Sequence, residues 1–136
     1  MRAPWTELYL HLVWSTWRRH PFITPGLQQR LYGSLAHQAA ELGADVMAIG
    51  GMPDHVHMLV RFPTTIAVSD FVRRLKGASS HLVTHVMRWP EPFKWQGGYG
   101  AFTVSKRHVP VVRDYVLNQE ARHRDGTTHP SFERTE

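Results

Sequence analysis

The segment His55-Val56-His57-Met58-Leu59-Val60-Arg61-Phe62 decides the fold. Side chains along an extended strand alternate between its two faces. Val56, Met58, Val60 and Phe62 therefore form one apolar face, which needs helices to cover it, while His55, His57, Leu59 and Arg61 share the other. Two imidazoles two residues apart on one strand face are able to converge on a single divalent ion. The pair alone is a weak signal, because ten histidines in 136 residues, placed at random, give on the order of one His-x-His. Taken alone it reads better as two polar side chains on a solvated sheet face.

Working outward, residues 46–51 form a short strand that turns through Met52-Pro53-Asp54 into this one, and residues 8–15 (Leu-Tyr-Leu-His-Leu-Val-Trp-Ser) alternate as another. Arg18-Arg19-His20-Pro21 is a basic loop. Thr24 as N-cap and Pro25 at the first position open a helix. Its apolar face is Leu27, Leu31, Leu35, Ala39 and Leu42, and Gly43 ends it. Downstream, Pro63 closes the strand and Ser69-Asp70 opens a second helix, which carries Phe71, Leu75, Leu82 and Val86 and runs to about Arg88. Residues 99–105 form a fourth strand, and a last helix spans 110–124. The order βαββαβα predicts an α+β domain of the ferredoxin-like, or RRM-like, kind, with two helices on one face of an antiparallel sheet. The additional C-terminal helix takes the other face. Residues 1–124 are expected to form this single domain and residues 125–136 a frayed tail.

The last helix bears on the histidine pair. Tyr115 and Gln119 are four apart and so lie one turn apart on one face, while Val109, Val112 and Val116 anchor the helix to the sheet. A tyrosine hydroxyl, with a pKa of about 10, is a poor nucleophile at neutral pH unless its target is made more electrophilic. A divalent ion on the non-bridging oxygens of a phosphodiester has that effect. The Gln119 carbonyl oxygen suits a hard cation such as Mg²⁺ or Mn²⁺. Taken alone, Tyr115 also fits a half-buried packing residue with its hydroxyl in water.

Sixteen Lys and Arg against eleven Asp and Glu give a net charge of +5, and thirteen of the cations are arginine. Arginine suits bidentate contacts to phosphate and stacking on bases, so the excess points toward a nucleic-acid partner. Arg18, Arg19, Arg73, Arg74, Lys76, Lys106 and Arg107 are the candidates for gripping a DNA backbone. Cysteine is absent, which excludes a disulfide scaffold, a thiolate metal site and a cysteine nucleophile. With no apolar run of membrane-spanning length and no signal-peptide core after Met1, a cytoplasmic protein is expected.

Five pieces of the chain, in order, resemble one family. They are His11-Leu12-Val13-Trp14-Ser15-Thr16, Pro53-Asp54-His55-Val56-His57-Met58-Leu59-Val60, Leu75-Lys76-Gly77-Ala78-Ser79-Ser80, Trp95-Gln96-Gly97-Gly98-Tyr99-Gly100-Ala101-Phe102-Thr103-Val104-Ser105 and Tyr115-Val116-Leu117-Asn118-Gln119-Glu120. In this series the chain is similar to the single-tyrosine HUH transposases of small bacterial insertion sequences and their relatives associated with repetitive extragenic palindromes. The resemblance implies a DNA transposase with His55, His57 and Gln119 as metal ligands and Tyr115 as nucleophile. It implies attack on single-stranded DNA at imperfect hairpins, a 5′-phosphotyrosine, and rejoining by a 3′-hydroxyl. It further implies a homodimer in which the first strands of two subunits pair edge to edge and the tyrosine helix is able to serve the partner's site. In the run Ala121-Arg122-His123 the chain departs from the family pattern, and His123 competes with Gln119 as third ligand.

Two other functions compete with strand transfer. One is a non-catalytic or domesticated nucleic-acid-binding module of the same fold, because a basic four-stranded sheet of this topology also binds RNA. The other is a hydrolase that activates water on the same metal. Passive binding needs no Tyr115 and Gln119 opposite the histidines, and a hydrolase needs no Tyr115.

Overall fold

The structure, a computed structural model, describes residues 4–136; residues 1–3 of the expected domain lie outside the described residues. Four strands, β1 (Tyr9–Ser15), β2 (Asp45–Met52), β3 (His55–Arg61) and β4 (Gly100–Val104), form one sheet in the order β2-β3-β1-β4, with every pair antiparallel. Helix α1 (Pro25–Glu41) follows β1, and α2 (Val68–His81) follows β3 and continues as a π-helical turn over Leu82–Val86. The alternation read from β3 holds. Val56, Met58 and Val60 join Leu12 and Trp14 of β1 against Leu27, Leu31 and Leu35 of α1 and Phe71 and Leu75 of α2. Burial at these positions contributes about 1.5–3 kcal/mol per large apolar side chain.

The other sheet face is covered by α3 (Val109–Leu117), whose Val109, Val112 and Val116 pack on Ala48 and Leu59. Contact is close because β2 presents Gly50 there: a Cβ at that position would lie 1.9 Å from the Val116 carbonyl oxygen. Only a residue without a side chain lets the helix sit this low.

Three expectations need correction. The last helix is not continuous but breaks at Asn118 (φ −111°, ψ 31°) into α3 and α4 (Gln119–Asp125). Asn118 keeps its helical bond, its N–H donating to the Asp114 carbonyl at 3.1 Å, and adds side-chain bonds from Nδ2 to the same carbonyl at 2.8 Å and to Asp114 Oδ1 at 3.0 Å. Next, β1 lies inside the sheet, paired on both sides, so it has no free edge to offer a second subunit. Finally, the C-terminal residues do not fray. Gly126, at φ 66°, reverses the chain after α4, with the Thr127 N–H donating to the Arg122 carbonyl at 2.9 Å. The returning segment makes a 3₁₀ turn at Pro130–Phe132 and runs so close to β4 that a Cβ on Gly100 would meet the Arg134 carbonyl oxygen at 2.0 Å. Among the described residues no helix is long and apolar enough to cross a membrane.

Candidate active site

Both strand histidines are buried beneath α3 and α4, His55 at 3% and His57 at 0% exposure. Each is tied at Nδ1. His55 Nδ1 lies 2.7 Å from Asp54 Oδ1, and His57 Nδ1 lies 2.8 Å from Nε2 of His11 on β1. The two Nε2 atoms are thereby left facing the same pocket, both buried and both close to the Glu133 carboxylate, at 3.2 and 3.1 Å. Burial opposes a charge on His55, but the hydrogen bonds to Asp54 and Glu133 outweigh it and raise its pKa; on His57 burial wins and lowers it. His11 is pushed down to about 3 by burial, reinforced by the neighbouring His57.

The helix break delivers the remaining groups. Gln119, 1% exposed, donates its side-chain Nε2–H to the Tyr115 carbonyl at 3.1 Å, the acceptor a continuous helix would give to the Gln119 backbone N–H. Its Oε1 lies 3.1 Å from His123 Nε2. Tyr115, 1% exposed, is walled by His129 and Phe132, with ring centroids 5.2 and 5.3 Å away, and the Arg122 guanidinium lies 5.2 Å from its ring centroid. Its hydroxyl donates to Glu133 Oε2 at 2.8 Å and accepts the His129 N–H at 3.0 Å. Burial raises the phenol pKa, and the Glu133 carboxylate adds to the effect.

Glu133 is the site residue that sequence reading missed. Its Oε1 lies 3.2 Å from His55 Nε2 and 2.9 Å from His123 Nε2, and its Oε2 lies 3.1 Å from His57 Nε2. Burial alone would raise this carboxyl, but His55 and His57 hold it well below the usual carboxylate range. No periodicity marks the run Ser131-Phe132-Glu133. The available signals were a lone aromatic beside an acid in a tail otherwise expected to be solvated, and a histidine cluster with no acid yet assigned to it. His55, His57 and Glu133 together offer three ligand atoms within 4.8 Å of one another. Two imidazole nitrogens and a carboxylate oxygen make a donor set that a divalent cation accepts.

The basic candidates fall into different settings. Arg18 and Arg19 adopt left-handed φ of 51° and 59° in the turn after β1, and Arg19 reaches to 3.8 Å from Asp54 Oδ2. Arg19, Pro21, Asp54, His55 and His123 line a groove of about 390 Å³ that opens onto the histidines. Arg73, Arg74, Lys106 and Arg107 are exposed; Arg73 pairs with Asp70 at 3.1 Å and Lys106 with Glu7 at 3.0 Å. Lys76 differs from the others: it is half-buried, and its ammonium donates to the Gln96 and Gly98 carbonyls at 2.9 and 2.5 Å, tying α2 to the loop before β4. Among the aromatic residues, Trp14 and Trp95 belong to the core, with Trp95 Nε1 donating to Ser79 Oγ at 3.0 Å.

Fold and site together define a small single-sheet transposase, in which a strand-borne histidine pair lies under a helix-borne tyrosine. The chain belongs to the IS200-like transposase family, whose description "Transposase IS200 like" matches residues 5–119. It is 30% identical over 120 residues to the ISDra2 transposase TnpA of Deinococcus radiodurans, covering 83% of this chain and 84% of that protein. It is 31% identical over 117 residues to the transposase for insertion sequence element IS200 of Salmonella typhimurium, covering 80% and 74%. A solved transposase from D. radiodurans R1 superposes with a TM-score of 0.68 at 29% identity, over 88% of this chain and 95% of that one. A REP-associated tyrosine transposase bound to a REP hairpin shares the fold, with a TM-score of 0.63 at 16% identity, over 94% and 74%.

Proposed function

We propose that this transposase is a metal-dependent strand transferase that cleaves and rejoins single-stranded DNA through Tyr115. One convergence supports the reading above all: Glu133 Oε2 lies 2.8 Å from the Tyr115 hydroxyl and 3.1 Å from His57 Nε2. An anionic oxygen at that point is within reach of the nucleophile and of the histidine pair together. A non-bridging oxygen of the scissile phosphate would take the same place, in exchange for the Tyr115–Glu133 hydrogen bond.

His55 and His57 through Nε2, with Glu133 as carboxylate donor and Gln119 as neutral oxygen donor, would hold Mg²⁺ or Mn²⁺. Two buried Nε2 atoms converging with one carboxylate favour this assignment. When bound, the ion polarises the phosphodiester as a Lewis acid. Tyr115, oriented by the His129 N–H and packed against Phe132, attacks phosphorus with loss of its phenol proton. The P–O3′ bond breaks as the Tyr115–phosphorus bond forms, the phenol proton passes through solvent to the departing oxygen, and a 5′-phosphotyrosine and a free 3′-hydroxyl remain. A 3′-hydroxyl then attacks that linkage and frees Tyr115, so the bond energy is kept within the cycle. The position of the Tyr115 hydroxyl in the histidine cluster of its own chain favours action in cis. His123, bound to both Gln119 and Glu133, orients the oxygen donors from outside.

Arg19 at the groove mouth, with Arg18, Arg73, Arg74, Lys106 and Arg107 around it, contacts the DNA backbone. The relative bound to a REP hairpin supports hairpin DNA as the substrate. A cytoplasmic homodimer is part of the proposal, with its contact through an element other than β1.

The test uses labelled single-stranded hairpin DNA from the flanks of the gene, Mn²⁺ and a denaturing gel. A covalent protein–DNA band that disappears in Tyr115→Phe is the expected result. Cleavage that persists without the band in Tyr115→Phe would assign a metal-activated water instead, and tight binding without cleavage would assign a binding module.

A further inference from the structure

We propose that His11 is a positioning residue for metal binding: its Nε2 accepts the Nδ1–H of His57 and so holds the His57 Nε2 lone pair toward the pocket. The inference rests on the metal reading above and concerns a residue that reading leaves out. His11 lies in the middle of the sheet, opposite Leu59 on one side and Phe102 on the other, and is fully buried. Its Nε2 is 2.8 Å from His57 Nδ1, and the two rings stack at 21° with centroids 5.1 Å apart. Phe102, Tyr115 and Phe132 enclose it, with centroids at 6.0, 6.4 and 5.3 Å.

A neutral imidazole has one proton for two nitrogens, and the partner of one nitrogen decides the state of the other. An ion on His57 Nε2 requires the ring proton on Nδ1, where His11 Nε2 lies 2.8 Å away as its acceptor; without an ion the Glu133 carboxylate, 3.1 Å from Nε2, competes for that proton. His11 then carries its own proton on Nδ1, where no acceptor is present. A buried unpaired N–H costs stability, which is hard to account for at a purely structural position where an apolar side chain would fit. The cost is understandable if the bond serves His57. His55 has the corresponding arrangement, with the Asp54 carboxylate at its Nδ1. Outer partners of this kind typically change metal affinity by about 10–100-fold.

Mn²⁺ titration calorimetry on the full chain tests this, with His11→Phe, which removes the acceptor, and His11→Gln, which supplies one. Melting curves verify that each variant is folded. Expected are a 10–100-fold weaker Mn²⁺ affinity for His11→Phe and recovery of most of it in His11→Gln. Nitrogen-15 spectra of the wild type loaded with diamagnetic Mg²⁺ should place the His57 proton on Nδ1. Wild-type affinity in a folded His11→Phe, no recovery in a folded His11→Gln, or a His57 proton on Nε2 with Mg²⁺ bound overturns the proposal. Failure of the metal reading is separately visible, because the wild type and His57→Ala would then show the same absence of Mn²⁺ binding.

Discussion

The Tyr115 hydroxyl donates a 2.8 Å hydrogen bond to Glu133 Oε2, 18 residues further along the chain. The bond crosses the boundary between the expected domain and its expected tail, and the same carboxylate lies within 3.2 Å of the Nε2 atoms of His55, His57 and His123. The C-terminal segment is thus part of the site. It supplies a carboxylate among three imidazoles and holds the Tyr115 hydroxyl at the histidine pair.

Replacing Glu133 by Gln removes that charge while keeping the shape. The metal-free protein should lose about 1.5–3 kcal/mol, the range for hydrogen bonds to charged groups, read as a lower melting temperature. Its Mn²⁺ affinity should weaken at least about tenfold. A tighter Mn²⁺ affinity would instead show that Glu133 competes with the ion.

Metal binding should stabilise the folded chain through the histidines. With Mn²⁺ at a hundred times its Kd, the wild type gains about 2.7 kcal/mol and melts several degrees higher. His57→Ala should show little of this shift. An equal shift in the two proteins would place the ion elsewhere.

The neutral oxygen donor is separable by paired substitutions. Gln119→Ala removes an oxygen donor and should weaken Mn²⁺ affinity and cleavage by about 10–100-fold. His123→Ala removes only the group that orients Gln119 and Glu133, and a smaller loss is expected. The reverse order in calorimetry would make His123 the ligand.

Gly50 tests whether the height of α3 over the sheet matters. Gly50→Ala brings a methyl to 1.9 Å from the Val116 carbonyl oxygen, so the helix must move. A cost of about 1–3 kcal/mol is expected, together with a loss of cleavage at temperatures where the variant is fully folded. Full cleavage in the folded variant would show that the position of Tyr115 tolerates the shift.

Much of the fold was legible because it rests on local periodicity. The alternation of residues 55–62 placed Val56, Met58 and Val60 in the core and His55 with His57 on the opposite face, and the spacing of Val109, Val112 and Val116 placed the last helix over them. The break at Asn118 was not legible, because the Gln119 side chain takes the Tyr115 carbonyl in place of a helix bond without disturbing the apolar pattern. Lys76 read as a surface cation because nothing in α2 indicates that the Gln96 and Gly98 carbonyls come within its reach. The edge position expected for β1 failed for a related reason, since strand order follows from long connections rather than from the strand itself.

By itself the sequence determined which faces exist and what they carry: a histidine pair on one side of a strand, a tyrosine and a glutamine on one side of a helix. Tertiary structure alone decided which faces meet and what joins them. His11 reaches His57 across 46 residues through the register of β1 on β3, and Glu133 reaches Tyr115 because the chain reverses at Gly126. Periodicity is a property of neighbours along the chain, whereas these contacts depend on strand register and on a docked tail, neither of which leaves a local pattern.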